Sequence, residues 1–218
     1  MKEIDTGLRL ESGNILWLVY VDVVTEKEAD FNRWYDTEHE PLLREVEGVI
    51  WTYKGIDLSG EGQKYLSLYV HKNVDVRSSS EYKAVSQTEW SKEIRPFVKN
   101  FEARNYKTVL TGPIPTNLKK GNIIRTVQFN VRPDREDMFN RWFDKEYIPL
   151  IKKVTGVIAV WQAVNLTEIG QKYLTAYFLD NIGVQGRIDL EVTPQKGRTE
   201  SIIPYLSDIV EKNYEARL

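Results

Sequence analysis

Two histidines stand among 218 residues, and cysteine is absent. Proton transfer at neutral pH would therefore fall to His39 or His71, helped by tyrosine hydroxyls. A thiol nucleophile, a disulfide and a cysteine metal site are all excluded. His39 follows Trp34-Tyr35-Asp36 and precedes Pro41. Helical spacing puts it on the apolar side, between Tyr35 and the Leu42-Leu43 pair. Pro41 has no N–H to offer the carbonyl of Thr37, so a kink or restart is expected there. An imidazole beside such a break, near a cavity, could act as general base or acid. The bland alternative is an amphipathic plug that bonds a freed carbonyl.

His71 closes a β-branched stretch and could touch a ligand at a rim, or simply sit at the surface. With Asp22 and His39 it could make a two-histidine, one-carboxylate metal set. These three share no local ligand spacing, so no metal is expected. Gly60-Glu61-Gly62 joins two strands and is not followed by Lys-Ser/Thr, which argues against a phosphate loop. No dinucleotide fingerprint, hydrolase elbow or HExxH site is present, leaving chemistry that needs only proton transfer and confinement.

The elements that must hold these residues come in two copies. FNRWYDTEHEPLLREVEGVI (Phe31–Ile50) returns as FNRWFDKEYIPLIKKVTGVI (Phe139–Ile158), with twelve of twenty positions identical. The same offset of 108 aligns Gly62–Leu66 with Gly170–Leu174, and Gly13–Ile15 with Gly121–Ile123. This register marks a tandem duplication with domain-sized units. Residues 1–111 are read as the first half, 112–121 as a Pro/Gly linker and 122–218 as the second half. Met1–Ser12 reads as a polar leader without a partner in the repeat.

Ile15–Val24 and Ile123–Val131 read as matching strands, and Thr25-Glu26 offers a cap for the following helix. Gly48 stops that helix. Strands are expected at Val49–Leu58, Lys64–His71 and Arg104–Leu110, with polar helix over Ser78–Lys99 broken at Pro96. Each half therefore reads β-α-β-β-α-β, an α+β ferredoxin-like unit. Alternation in the first strand gives Val19 and Val21 to a helix-covered face and Leu18, Tyr20 and Asp22 to the other. An antiparallel sheet covered on one side still has a second face to bury. Two such sheets packed face to face would enclose a space. Tyr20, Asp22, Trp51, Tyr53, Tyr65, Ser67, Tyr69 and His71 are the expected wall of that space. Trp161, Tyr173 and Tyr177 would face them. A mixed aromatic and polar lining suits a small ring-bearing ligand; the competing reading is that the rings fill the space solidly.

The segment Trp34-Tyr35-Asp36-x-x-His39-x-Pro41-Leu42 resembles the EthD-like branch of the dimeric α/β-barrel superfamily. Trp142, Asp144 and Pro149 fit in the second half, where Phe143 and Tyr147 replace the tyrosine and histidine. The resemblance implies a dimeric barrel fused into one chain, an intrachain pseudo-dimer that could dimerise again. It also implies a broad choice of chemistry, from cyclases, isomerases and cofactor-free monooxygenases to haem enzymes.

The expectation for function is a cofactor-free lyase- or isomerase-type enzyme with His39 and Tyr69 as catalytic groups. Tyr20, Asp22, Trp51, Tyr53, Tyr65, Ser67 and His71 would bind a small hydrophobic or aromatic molecule. Binding of a small ligand or of haem without turnover is the alternative, with His39 or His71 as the axial ligand of haem. Net charge is −2 with basic and acidic residues interspersed, giving no basic face for nucleic acid or anionic membrane. Nothing reads as a signal peptide or a spanning helix, so a soluble cytoplasmic protein is expected.

Overall fold

The computed structural model describes residues 7–110, 112–191 and 202–217. Met1–Thr6 of the predicted leader, Thr111 at the linker boundary, residues 192–201 and Leu218 of the predicted second half lie outside these. In chain order the elements begin with β1 (Arg9–Leu10), β2 (Ile15–Val23), α1 (Glu28–Trp34), a π-helical turn (Tyr35–His39) and α2 (Glu40–Glu45). Then come β3 (Val49–Asp57), β4 (Tyr65–His71), α3 (Ser80–Val85), α4 (Glu89–Ile94) and β5 (Val98–Thr108). After β6 (Gly112–Pro113) follow β7 (Ile123–Val131), α5 (Glu136–Trp142), a second π turn (Phe143–Tyr147) and α6 (Ile148–Ile151). The series closes with β8 (Val157–Asn165), β9 (Tyr173–Leu179), α7 (Gly183–Glu191) and β10 (Leu206–Ala216).

Eight strands form one closed antiparallel barrel in the order β10-β3-β4-β2-β5-β8-β9-β7. Closure leaves the barrel itself no unpaired edge among the described residues. Each half supplies four neighbouring strands, and two seams join them. Tyr106 pairs with Asn165 at one seam and Tyr214 with Asp57 at the other. Both partners shift by the repeat offset, so the two seams share one register. The helices lie outside the barrel. Gly48 ends the first helical stretch at φ +87°, and a Cβ there would come within 2.6 Å of Val76 Cγ2.

The interior corrects the expected hollow. Leu16, Leu18, Tyr20, Leu66, Leu68, Tyr106, Trp161, Leu174, Phe178 and Tyr214 fill the barrel as one buried cluster, with Trp51 packed against it. Trp161 and Phe178 stand 4.3 Å apart between ring centroids, and Trp51 meets both edge-on. Such close packing makes the lumen a core. Tyr20, Trp51 and Tyr53 are thus packing residues, and their proposed ligand wall is not there. Tyr20 also accepts a hydrogen bond from Gln128 Nε2 at 3.1 Å, and Tyr53 donates to the Tyr214 carbonyl at 3.3 Å.

Two smaller expectations also change. The leader is structural where it is described: Leu10 is fully buried in the barrel cluster with Ile114 and Leu118, and β1 pairs with β6 inside the predicted linker. Thr25 caps nothing, because Val24 holds the cap position of a short 3₁₀ turn without a side-chain bond.

Candidate functional site

The WYDTEH segment forms the π turn. Glu40 N–H reaches back to the carbonyl of Tyr35, five residues away, so the backbone widens just before Pro41. This is how the chain accommodates proline's missing donor, and π turns of this kind recur at functional sites. The wider turn points Tyr35 and His39 at the outer face of the first-half sheet. There they meet the face of β4 that carries Ser67 and Tyr69.

Between sheet and helices lies a cavity of about 200 Å³, floored by Val19, Ser67 and Tyr69 and roofed by Trp34, Tyr35 and His39. Ser91, Arg95 and Phe101 also line it. Phe101 is 64% exposed at the rim. His39 stacks on the Trp34 indole at 4.4 Å and 27°, and its Nδ1 is buried with no hydrogen-bond partner. Burial pushes its pKa down to about 4, so the ring is neutral at pH 7. Tyr35 and Tyr69 share a hydrogen bond between their hydroxyls at 3.2 Å. Burial raises Tyr69 to about 12 and lifts Tyr35 well above its ordinary value, so both remain protonated donors. Ser91 accepts from Trp34 Nε1 at 3.2 Å and donates to the Val85 carbonyl, fixing the indole on which His39 rests.

A cation lies behind this face. Lys54 is 2% exposed at its side chain, pairs with Asp36 of the π turn and stands 4.3 Å over the Tyr35 ring. Desolvation lowers the Lys54 pKa, and Asp36 opposes that shift. Asp36 of the π turn thus bonds a lysine of β3.

The predicted site residues divide across the sheet. His39, Ser67 and Tyr69 meet in the cavity. Tyr65 lies further along the same face, donating to Glu28 Oε1 at 2.8 Å and accepting from Asn32 at 3.0 Å. His71 is at the opposite end, fully buried against Tyr82 and Trp17. Asp22 is a structural acceptor, taking Lys64 N–H at 2.7 Å and Asn100 Nδ2 at 2.7 Å. The three possible metal ligands are thus kept apart, and no cluster of three or more such residues occurs among the described residues. Tyr173 and Tyr177 pack with the second-half helices instead of facing the first half across a hollow.

Tyr35, Trp17, Ser91 and Phe101 are cavity residues that the sequence reading did not assign. Tyr35 carried a signal, since it lies four residues before His39 and hence on the same helix face. Haem does not fit here. At about 200 Å³ the cavity is below the roughly 300–1,000 Å³ of sites for drug-sized ligands, too small for a tetrapyrrole as it stands.

No family model matches the chain. No curated relative matches it either. Solved structures do. A candidate monooxygenase from Fusobacterium nucleatum superposes with a TM-score of 0.72 at 10% identity, covering 95% of this chain and 94% of that one. An anthrone oxidase-like protein gives 0.65 at 10%, with 97% and 95% covered. A haem-binding protein from Thermus thermophilus gives 0.61 at 12%, with 96% and 92% covered. At these identities the likeness establishes the fold, a dimeric α/β barrel. No helix among the described residues is long and apolar enough to cross a membrane.

Proposed function

We propose that the first-half cavity binds a small cyclic molecule with an acidic hydrogen next to a carbonyl or phenol, and that His39 removes that hydrogen. The observation that carries this is a neutral, buried imidazole in the same 200 Å³ enclosure as a protonated tyrosine pair. Two copies of one unit (residues 1–111 and 122–218) would then differ in role, with chemistry in the first alone. The Trp34-Tyr35-Asp36-x-x-His39-x-Pro41 segment supports placing the chain in the EthD-like branch.

An imidazole with so low a pKa is a weak base in the free protein. Its strength rises when a proton passes to it from the ligand, because the resulting imidazolium faces the enolate anion in a desolvated space. Tyr69, bonded to Tyr35, donates to the developing oxyanion without ionising. Returning the proton to another carbon is isomerisation, and losing a β-leaving group is dehydration. Both belong to lyase or isomerase chemistry without a cofactor.

The test is carbon–hydrogen exchange. Small cyclic ketones, β-diketones and phenols are incubated with protein in D₂O, and loss of the α-proton signal is followed by NMR. Exchange should occur and should drop about 10²–10⁴-fold in His39→Ala. Unchanged exchange in that variant, with folding intact, removes His39 from the mechanism.

A second reading has one observation in its favour. Neighbours at 10% identity include a candidate monooxygenase and an anthrone oxidase-like protein. The same carbanion, with dioxygen as second substrate, would give an oxygenase that needs no cofactor. Oxygen uptake with the substrates that exchange would separate the two.

A further inference from the structure

A second cleft, independent of the His39 cavity, lies at the seam where β5 meets β8. It holds about 180 Å³ and is lined by His71, Asn73, Arg77, Asn105, Leu166 and Thr167, among others. That is room for about six waters. The hairpin that closes it belongs to the second half and is anchored by Leu166 N–H on the Asn105 carbonyl at 2.9 Å.

Its polar groups are held in place yet incompletely used. The Arg77 guanidinium lies on the Trp17 indole at 3.7 Å, and its Nη1 donates to Asn105 Oδ1 at 3.0 Å. Stacked and tethered, it is preorganised as guanidinium sites for planar anions are. Its Nε–H is nevertheless buried without an acceptor. His71 is fully buried, and neither ring nitrogen has a partner. Buried polar atoms normally find partners, from protein, water or ligand. Two orphans on one cleft are harder to explain as packing. Asn105, having given its oxygen to Arg77, keeps its amide N–H groups as further donors.

We propose that this cleft binds a small carboxylate, a monoanion of one to four carbons, through Arg77, His71 and Asn105. One fixed cation and neutral donors match a single negative charge. A dianion such as phosphate or sulfate would be left half-neutralised in a partly desolvated site. The repeat makes the site unique to one seam. At the offset of 108, Leu179 replaces His71, Gln185 replaces Arg77 and Arg125 replaces Trp17. Trp17 lines the His39 cavity and carries Arg77, a residue of the second cleft, on its indole. An anion that steadies Arg77 would steady that indole too.

The chain's two histidines give a clean readout, since an imidazole ¹H–¹³C spectrum has only two sets of signals. Acetate and propionate are titrated at constant ionic strength against chloride and sulfate. The His71 signals should shift saturably with the carboxylates while His39 moves little. In Arg77→Gln the apparent affinity should fall at least tenfold. Asn105→Asp, which supplies its own carboxylate to Arg77, should abolish the response while keeping the fold, and this covers the case where Arg77→Gln does not fold. An unresponsive His71, an equal response to chloride, or unchanged affinity in either folded variant overturns the proposal. Tighter binding of sulfate than of acetate overturns the carboxylate assignment.

Discussion

The two π turns occupy matching places and do different things with one hydroxyl contact. In the first half the Tyr35 hydroxyl bonds Tyr69 at 3.2 Å, and the next residue on that face is a short imidazole. In the second half Phe143 stands where Tyr35 does, and Tyr147, in the place of His39, reaches across to the Tyr177 hydroxyl at 3.0 Å. The bond to the sheet is kept, but the side chain that makes it has moved one turn along. A phenol that spans the gap holds turn and sheet together by itself. An imidazole that stops short leaves space and a basic nitrogen. Two substitutions, tyrosine to phenylalanine and histidine to tyrosine, thus separate an open cavity from a bonded plug.

The sharpest way to break this contrast is to make the first half copy the second. The double variant Tyr35→Phe/His39→Tyr should lose ligand binding and exchange activity to background while keeping or raising its melting temperature, read by calorimetry. His39→Ala, which empties the space instead of filling it, should cost about 10²–10⁴-fold in exchange rate but spare ligand binding, checked by thermal shift. Tyr69→Phe should cost less, about tenfold in rate and about 1 kcal/mol in stability, because it leaves the Tyr35 hydroxyl without its partner.

Acid stability sharpens the same comparison, because both histidines lie in the first half. Burial lowers His39 and His71 to about 4, with Arg77 adding to the shift of His71. Between that value and the unfolded value of about 6.5, the unfolded chain binds more protons than the folded one. Stability is then full above about pH 6.5 and declines as pH falls towards 4, by at most on the order of 3 kcal/mol per histidine. Replacing His71 by leucine, the residue at Leu179 in the other half, should flatten part of that decline in denaturant titrations at pH 4–7. The smallest effect on turnover is expected from Lys54→Met. Asp36 can turn to water, so the loss should be about 1–2 kcal/mol, together with a modest change in KM if Lys54 steadies the Tyr35 ring.

Much of the architecture could be read from residue order. Ile15–Val23, Val49–Asp57, Tyr65–His71 and Ile123–Val131 fall where β-branched alternation put them. Alternation also sorted each strand into its two faces: Leu66, Leu68 and Val70 on one, Ser67, Tyr69 and His71 on the other. In β2 it also placed the faces rightly, Val19 and Val21 towards the helices and Leu18 and Tyr20 inside, but in β4 it put the wrong row inside. Tyrosines and a histidine look like the lining of a lumen, yet the aliphatic row fills the barrel and the polar row meets the helices. The cavity exists because those helices bridge over Ser67 and Tyr69 without filling the space. His39 was legible through Pro41 and the apolar spacing. Phe101 was not, because β5 begins at Val98 and passes through Asn100 at φ +48°, a left-handed kink that no local pattern announces. Tyr20, Trp51 and Tyr53 misled for a simple reason: ring chemistry is the same in a core and in a pocket.

The second seam has a consequence for how the molecule comes into being. Tyr53 in β3 donates to the carbonyl of Tyr214 in β10, across 161 positions of chain. Until β10 has been synthesised, β3 is a raw margin open to pairing with any other extended peptide. So distant a contact makes for slow assembly, and a nascent chain that stalls before residue 206 would be a sticky intermediate that depends on chaperones. Ring closure, not either hydrophobic layer alone, sets the moment at which this polypeptide becomes safe from aggregation.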